Sequence, residues 1–73
     1  MKNKERKQTI EIMVGDWYAD HENEEEYSDF EIKGIKWDDD LQDYVAIAED
    51  KCHQYVLGDS GCGDIVFISV TEL

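Results

Sequence analysis

The chain has 73 residues and a formal net charge of −12, because nineteen Asp and Glu side chains outnumber seven Lys and Arg side chains. This length predicts one domain with a small core, and two Trp, four Tyr and two Phe predict a folded rather than a disordered chain. The excess of acids argues against direct binding to nucleic acid or to an anionic membrane, since both are negative.

The first eight residues contrast with the rest of the chain. Residues 1–8 contain four basic side chains and one acid, which predicts a flexible basic N-terminal arm. Residues 9–73 contain eighteen acids and three lysines, which predicts a single compact acidic domain. No apolar run has the length of a secretory signal or a membrane span, so we expect a cytoplasmic protein with Cys52 and Cys62 as free thiols. A Cys52–Cys62 disulfide is the alternative in an oxidising compartment.

Residues 9–14, T-I-E-I-M-V, alternate between apolar and polar positions. Ile10, Ile12 and Val14 would share one face of a strand, and the run continues to Tyr18. The acidic stretch D-H-E-N-E-E-E-Y-S-D follows at residues 20–29. It could form a helical turn capped by Asn23, or a solvated loop.

Residues 30–37, F-E-I-K-G-I-K-W, predict a second strand with a bulge at Gly34, where the parity of the apolar positions changes. A hairpin between residues 15–18 and 30–37 would place the acidic stretches 20–29 and 38–43 towards opposite ends of the pair. The acids would then form a long stripe.

Residues 38–57 fit two structures. A helix at about 39–57 is one of them, because apolar residues recur near the 3.6-residue period and Gly58 could end the helix. This helix would give a ββαβ fold. The second structure is a pair of strands, Y-V-A-I-A-E and H-Q-Y-V-L, with a hairpin connection after Trp37 and a turn between the two strands. The β-branched and aromatic residues in these segments favour this second structure.

The C-terminal section predicts a glycine turn, D-S-G-C-G-D, followed by a buried strand, I-V-F-I-S-V. The fold class expected is therefore a small, mainly antiparallel β domain. It would have about four to five strands in a curved sheet or small barrel and at most one short helix. An α+β fold is the alternative.

Three motifs could indicate chemistry, but each lacks part of its pattern. G-D-S-G around Ser60 resembles the nucleophile motif of chymotrypsin-like proteases, although the chain is too short for that fold. Residues 38–49 partly resemble an EF-hand loop but have Asp43 where the sharp turn needs Gly. Cys52, His53, Cys62 and His21 lack zinc-ligand spacing. We expect no enzymatic activity, no metal and no cofactor.

The acids provide the main functional signal, because they recur on several predicted elements and are interleaved with aromatic residues. Protein interfaces favour exposed aromatic residues as anchors. The residues predicted to bind a partner are Asp16, Asp20, Glu22, Glu24, Glu25, Glu26, Asp29, Glu31, Asp38, Asp39, Asp40, Asp43, Trp17, Tyr27 and Trp37.

In the runs D-H-E-N-E-E-E-Y-S-D-F-E and W-D-D-D-L-Q-D, the composition resembles the class of small acidic phage-type inhibitors that mimic DNA, such as anti-CRISPR and anti-restriction proteins. This resemblance implies a non-enzymatic inhibitor that binds the basic nucleic-acid-binding surface of a nuclease or of a CRISPR or restriction effector. If the protein is phage-encoded, it would act in the cytoplasm of the host cell. An immunity protein or antitoxin for a basic toxin is one alternative, and a small metal-binding or enzymatic domain is another. A homodimer through the final apolar strand is also possible.

Overall fold

A computed structural model describes residues 4–73 and shows one α-helix followed by four strands. Helix α1 spans Lys4–His21, and a 3-10 helix spans Glu25–Tyr27. Four antiparallel strands follow in spatial order β1-β2-β3-β4: β1 is Glu31–Asp38, β2 is Asp43–Glu49, β3 is His53–Asp59 and β4 is Ile65–Glu72. The expected small, mainly antiparallel β domain with at most one helix is confirmed, and its sheet is open rather than closed into a barrel.

The strand predicted at residues 9–14 is wrong, because these residues lie inside α1. Ile10 and Val14 are buried, whereas Ile12 between them is 65% exposed. Buried residues four apart follow the helical period rather than the alternation of a strand. The hairpin between residues 15–18 and 30–37 is also wrong, because residues 15–18 belong to the same helix.

The predicted basic arm also differs from the structure. Residues 4–8 form the first turns of α1, and residues 1–3 lie outside the described part of the chain. Part of the basic segment is therefore attached to the folded domain.

The strands and turns predicted for residues 30–57 are confirmed, and β3 continues two residues further, to Asp59. The β1–β2 register shifts between Ile32 and Gly34, where a bulge was expected. Residues 38–57 form the end of β1, a turn and the β2–β3 hairpin, so the alternative helix at 39–57 is wrong. The turn between β1 and β2 is closed by the Asp38 side chain, which accepts hydrogen bonds from the backbone N–H groups of Asp40 and Leu41.

The strand and turn predicted at the C-terminus are present, but β4 is not buried. Gly61 and Gly63 have φ values of 97° and 87° in the preceding turn, a conformation that glycine adopts at little cost. β4 lies at the edge of the sheet and exposes its large apolar side chains. A strand of this composition is buried only when it has neighbours on both sides and cover on both faces.

Helix α1 and one face of the sheet form the core. Ala46 and Ala48 of β2 are fully buried and belong to the same cluster as Ile10 and Val14 of α1. Small side chains on the sheet allow a helix to approach closely and pack without voids. The remaining members of this buried cluster are Phe30, Tyr44 and Leu57.

Arg6 fastens the N-terminal end of α1 to the sheet. Its Nε donates to Asp43 Oδ1 at 2.9 Å, and its Nη2 donates to Asp43 Oδ2 and Asp59 Oδ2 at 2.8 Å each. Asp43 begins β2 and Asp59 ends β3. The hydrogen bonds from Arg6 hold the pKa of each carboxyl below its ordinary value. One guanidinium therefore joins the helix to two central strands through charge-assisted bonds.

We expect Arg6→Met to lower the free energy of unfolding by about 1 kcal/mol, because a partly exposed bidentate pair contributes modestly and its loss leaves two acids facing each other. Denaturant unfolding at neutral pH measures the change. Lys7→Met is the matched control, since exposed Lys7 lies on the same helix and loses the same charge. Equal destabilisation by the two variants would contradict a specific role for Arg6.

Candidate binding surface

Most of the acids predicted to bind a partner are exposed. Asp16 and Asp20 lie on α1, the next group lies between α1 and β1 or at the start of β1, and the last pair lies in the β1–β2 turn. The exposed predicted acids are Asp16, Asp20, Glu22, Glu24, Glu25, Glu26, Asp29, Glu31, Asp39 and Asp40.

The other five predicted residues are half-buried. Asp43 binds Arg6, and Asp38 closes the β1–β2 turn. Trp37 packs edge-on against Tyr44, with 5.2 Å between the ring centroids, and its Nε1 donates to Asp39 at 2.6 Å. These contacts give Asp38, Asp43 and Trp37 structural roles.

Trp17 and Tyr27, the remaining two, belong to an aromatic cluster at the C-terminal end of α1. The Trp17 ring lies 5.5 Å from Tyr27, 5.7 Å from Phe30 and 5.6 Å from Phe67, measured between ring centroids. The His21 ring stacks on Trp17 at 4.6 Å. The aromatic residues among the acids therefore hold the acidic segment against the core, and they are not free surface anchors.

Residues 22–29, which we call the acidic loop, form a series of hydrogen-bonded turns. The N–H of Glu22 donates to Tyr18 O at 2.7 Å, and the N–H of Tyr27 donates to Glu24 O at 3.0 Å. The helical turn considered from the sequence is present as the 3-10 helix Glu25–Tyr27, but Glu24 rather than Asn23 precedes it. Tyr18 Oη also donates to Phe30 O at 2.9 Å just after the loop. The carboxylates are thus attached to an ordered backbone.

The acidic loop borders an open groove of about 350 Å³ beside the β2–β3 turn. Asp29 lies 3.6 Å from Lys51, but both side chains are exposed, so this ion pair is weak. Burial raises the pKa of Tyr27, and the nearby Glu26 and Glu24 raise it further. The groove is lined by Glu25, Glu26, Ser28, Asp29, Asp50, Lys51, Cys52 and His53.

Acids occupy both ends of β1. The acidic loop and Glu31 lie at its start, and Asp38, Asp39 and Asp40 lie at its end. Eight residues of extended strand separate these groups by about 25 Å. The length of β1 accounts for the separation of these two groups, whereas Asp16 and Asp20 of α1 line a groove with Asp64 and Ile65 at the start of β4.

The geometry does not support the metal sites considered from the sequence. Within residues 4–73, no group of three or more His, Cys, Asp or Glu side chains could hold a metal ion. Asp38 and Glu49 lie at opposite ends of the β1–β2 hairpin, so residues 38–49 do not fold into an ion-binding loop. Cys52 and Cys62 are exposed thiols at opposite ends of the β3–β4 hairpin, which also rules out the disulfide considered above.

The sequence did not reveal the exposed apolar face of the sheet opposite α1. Val45 is buried but lies outside the α1-facing cluster, and a Cβ on Gly58 would meet Val45 Cγ1 and Ile68 Cδ1. Leu41 and Val66 line the same shallow groove of about 290 Å³. The continuous apolar pattern of β4 is the sequence signal of this face, since Val66 and Ile68 are exposed there.

Asp50 organises the β2–β3 turn at the far side of the acidic groove. Its Oδ1 accepts the N–H groups of Cys52 at 2.8 Å and His53 at 2.7 Å, and its Oδ2 accepts the Tyr55 hydroxyl. The bond to Tyr55 is the main cause of the lowered pKa of Asp50. The same bond is the main cause that raises the pKa of Tyr55 to about 12.

We expect the free energy of unfolding to fall as the pH rises from 10 to about 12, because the unfolded chain loses the Tyr55 proton near 10 and the folded chain retains it until about 12. Tyr55→Phe should remove this part of the alkaline decline, and Asp50→Asn should lower the pKa of Tyr55. Ultraviolet titration of tyrosinate and denaturant unfolding across this pH range measure both effects. An ordinary pKa for Tyr55 in the wild-type protein would contradict the bond.

No protein-family model, curated protein or solved structure matches this chain. Among residues 4–73, no helix combines the length and the apolar character needed to cross a membrane. The chemistry of the exposed surface is therefore the basis for a functional proposal.

Proposed function

We propose that this protein is a non-enzymatic inhibitor that binds the basic nucleic-acid-binding surface of a nuclease or of a CRISPR or restriction effector. The main support is one continuous segment. Residues 13–32 contain eight acids and no Lys or Arg, and they fold into the second half of α1, the acidic loop and the start of β1. Such a surface complements a groove that normally receives phosphates.

The order of the acidic loop strengthens this proposal. Tyr27 and Phe30 pack edge-on with 5.4 Å between their ring centroids, and both contact Trp17. A fixed array of carboxylates loses less conformational freedom on binding than a disordered acidic tail. The loop can thus compete with a nucleic-acid backbone for the same basic side chains.

Few of these acids are neutralised within the protein. In the described residues the ion pairs of this region are Lys33–Glu31 at 3.0 Å and Lys51–Asp29 at 3.6 Å, both exposed. The other acids of the loop remain available to a partner. Long-range attraction between them and a basic groove would accelerate association, and salt would weaken it.

We expect the purified protein to capture a nucleic-acid-binding complex from host lysate at low salt and to block nucleic-acid binding by that complex. The triple variant Glu24→Gln, Glu25→Gln, Glu26→Gln should capture at least about tenfold less, because it removes adjacent charges from the loop. Quantitative pull-down at two salt concentrations, followed by a DNA-binding assay of the captured complex, measures both effects.

The matched control is the variant Glu11→Gln, Asp64→Asn, Glu72→Gln, which loses the same charge at exposed positions outside the predicted surface. Capture that does not change with salt, or that survives in the loop variant, would refute charge mimicry. Capture of one dedicated toxin nuclease would instead favour an immunity protein.

A further inference from the structure

Strand β4 has the composition of a central strand, although it is the last strand of the sheet. Residues 65–71 contain no charged side chain. Val66 and Ile68 project from the open face, Phe67 and Val70 lie on the α1 face, and all four are 41–55% exposed. Strands that are apolar on both faces usually have neighbours on both sides.

The other edge of the sheet is protected. β1 carries Glu31, Lys33, Lys36 and Asp38 and has a register shift before Gly34. Charges and bulges on an edge strand prevent another strand from pairing with it. β4 shares one of these two features, a register irregularity at Ile68, but it carries no charge between Ile65 and Thr71 and pairs with a strand on one side only.

The charge of the protein restricts which surface a second copy could approach. With a net charge of −12, two copies repel each other wherever carboxylates meet. Residues 65–71 of β4 are the longest uncharged strand segment in the described residues, so acids meet only at the two ends of a self-paired edge. These acids are Asp64 and Glu72, together with Asp16 and Asp20 of α1, which line a groove with Ile65. A basic partner, by contrast, would find no opposite charge along this edge.

We propose that two copies of the chain pair antiparallel through their β4 edges and form one continuous eight-stranded sheet. The contact is isologous, as in most homodimers, because the same strand contributes from each side. Antiparallel pairing directs the two acidic loops towards opposite ends of the joined sheet. Both loops then remain exposed and distant from each other, so dimerisation does not depend on the inhibitor function.

Sedimentation equilibrium over a range of concentrations tests this proposal. We expect the wild-type protein to approach twice its chain mass of 8.5 kDa, and higher salt should favour the dimer by screening repulsion. Val70→Lys should raise the dissociation constant by at least about tenfold, because a lysine on an edge strand opposes pairing with a further strand. Higher salt should weaken the complex between the inhibitor and its basic target, whereas it should strengthen the dimer. The response to salt therefore distinguishes the two proposals.

Ile12→Lys is the matched control, because Ile12 is exposed on α1 and its replacement adds the same charge. This variant should dimerise like the wild-type protein. Leu41→Lys tests whether the open face of the sheet forms the interface instead. A wild-type protein that stays monomeric, or a dimer disrupted by Leu41→Lys and not by Val70→Lys, would overturn edge pairing.

Discussion

The packing of α1 across one face of the sheet is the contact on which the other features depend. The helix supplies Ile10 and Val14 to the core, and Ala46 and Ala48 lie in the same cluster from β2. Arg6 fastens one end of the helix to the sheet, and the aromatic cluster around Trp17 fastens the other. Among residues 4–73, α1 is the one long helix and it packs on one face of the sheet, while Val66 and Ile68 stay exposed on the opposite face.

The placement of the acids explains how such a small core tolerates a high net charge. Acidic side chains are concentrated on exposed positions of α1, the acidic loop and the strand connections, where water screens their repulsion. Asp43 and Asp59 are half-buried, but both form ion pairs with the guanidinium of Arg6. Asp50 is half-buried too, but backbone N–H groups and the Tyr55 hydroxyl stabilise its charged form. The charges nearest the core are therefore compensated, and the exposed acids remain available.

Much of the sheet could be predicted from the sequence, because local chemistry determines it. Asp38 closes one turn, Asp50 another, and the glycines at 61 and 63 permit a third. Helix α1 could not be assigned in the same way. Ile10 and Val14 satisfy both the alternation of a strand and the four-residue spacing of a helix, and the β-branched residues around them favour a strand. Packing against the sheet decides in favour of the helix, and packing is not visible in a local pattern.

The same distinction applies to the surface. Charged side chains stay in water, so ten of the twelve acids predicted to bind a partner are exposed in the structure. The exposure of an aromatic residue depends on which element packs against it, and the local sequence does not show this. Trp17 and Tyr27 are therefore half-buried in the structure, although the sequence predicts them at the binding surface. Burial of β4 was expected from its apolar composition, but strand order determines whether such a strand is central or lies at an edge.

The two proposed interfaces use opposite chemistry and occupy different parts of the fold. The acidic loop borders the β2–β3 turn at one end of the sheet, whereas the neutral edge is the outer side of β4. The two regions meet on the α1 face, where Phe67 of β4 contacts Trp17 and Phe30. Electrostatic attraction to a basic protein needs exposed charge, and pairing between two copies of an acidic chain needs its absence. Separation of the two surfaces allows one small domain to satisfy both requirements. Bound to a target, a dimer would present two acidic loops pointing in opposite directions, so each dimer could occupy two basic grooves.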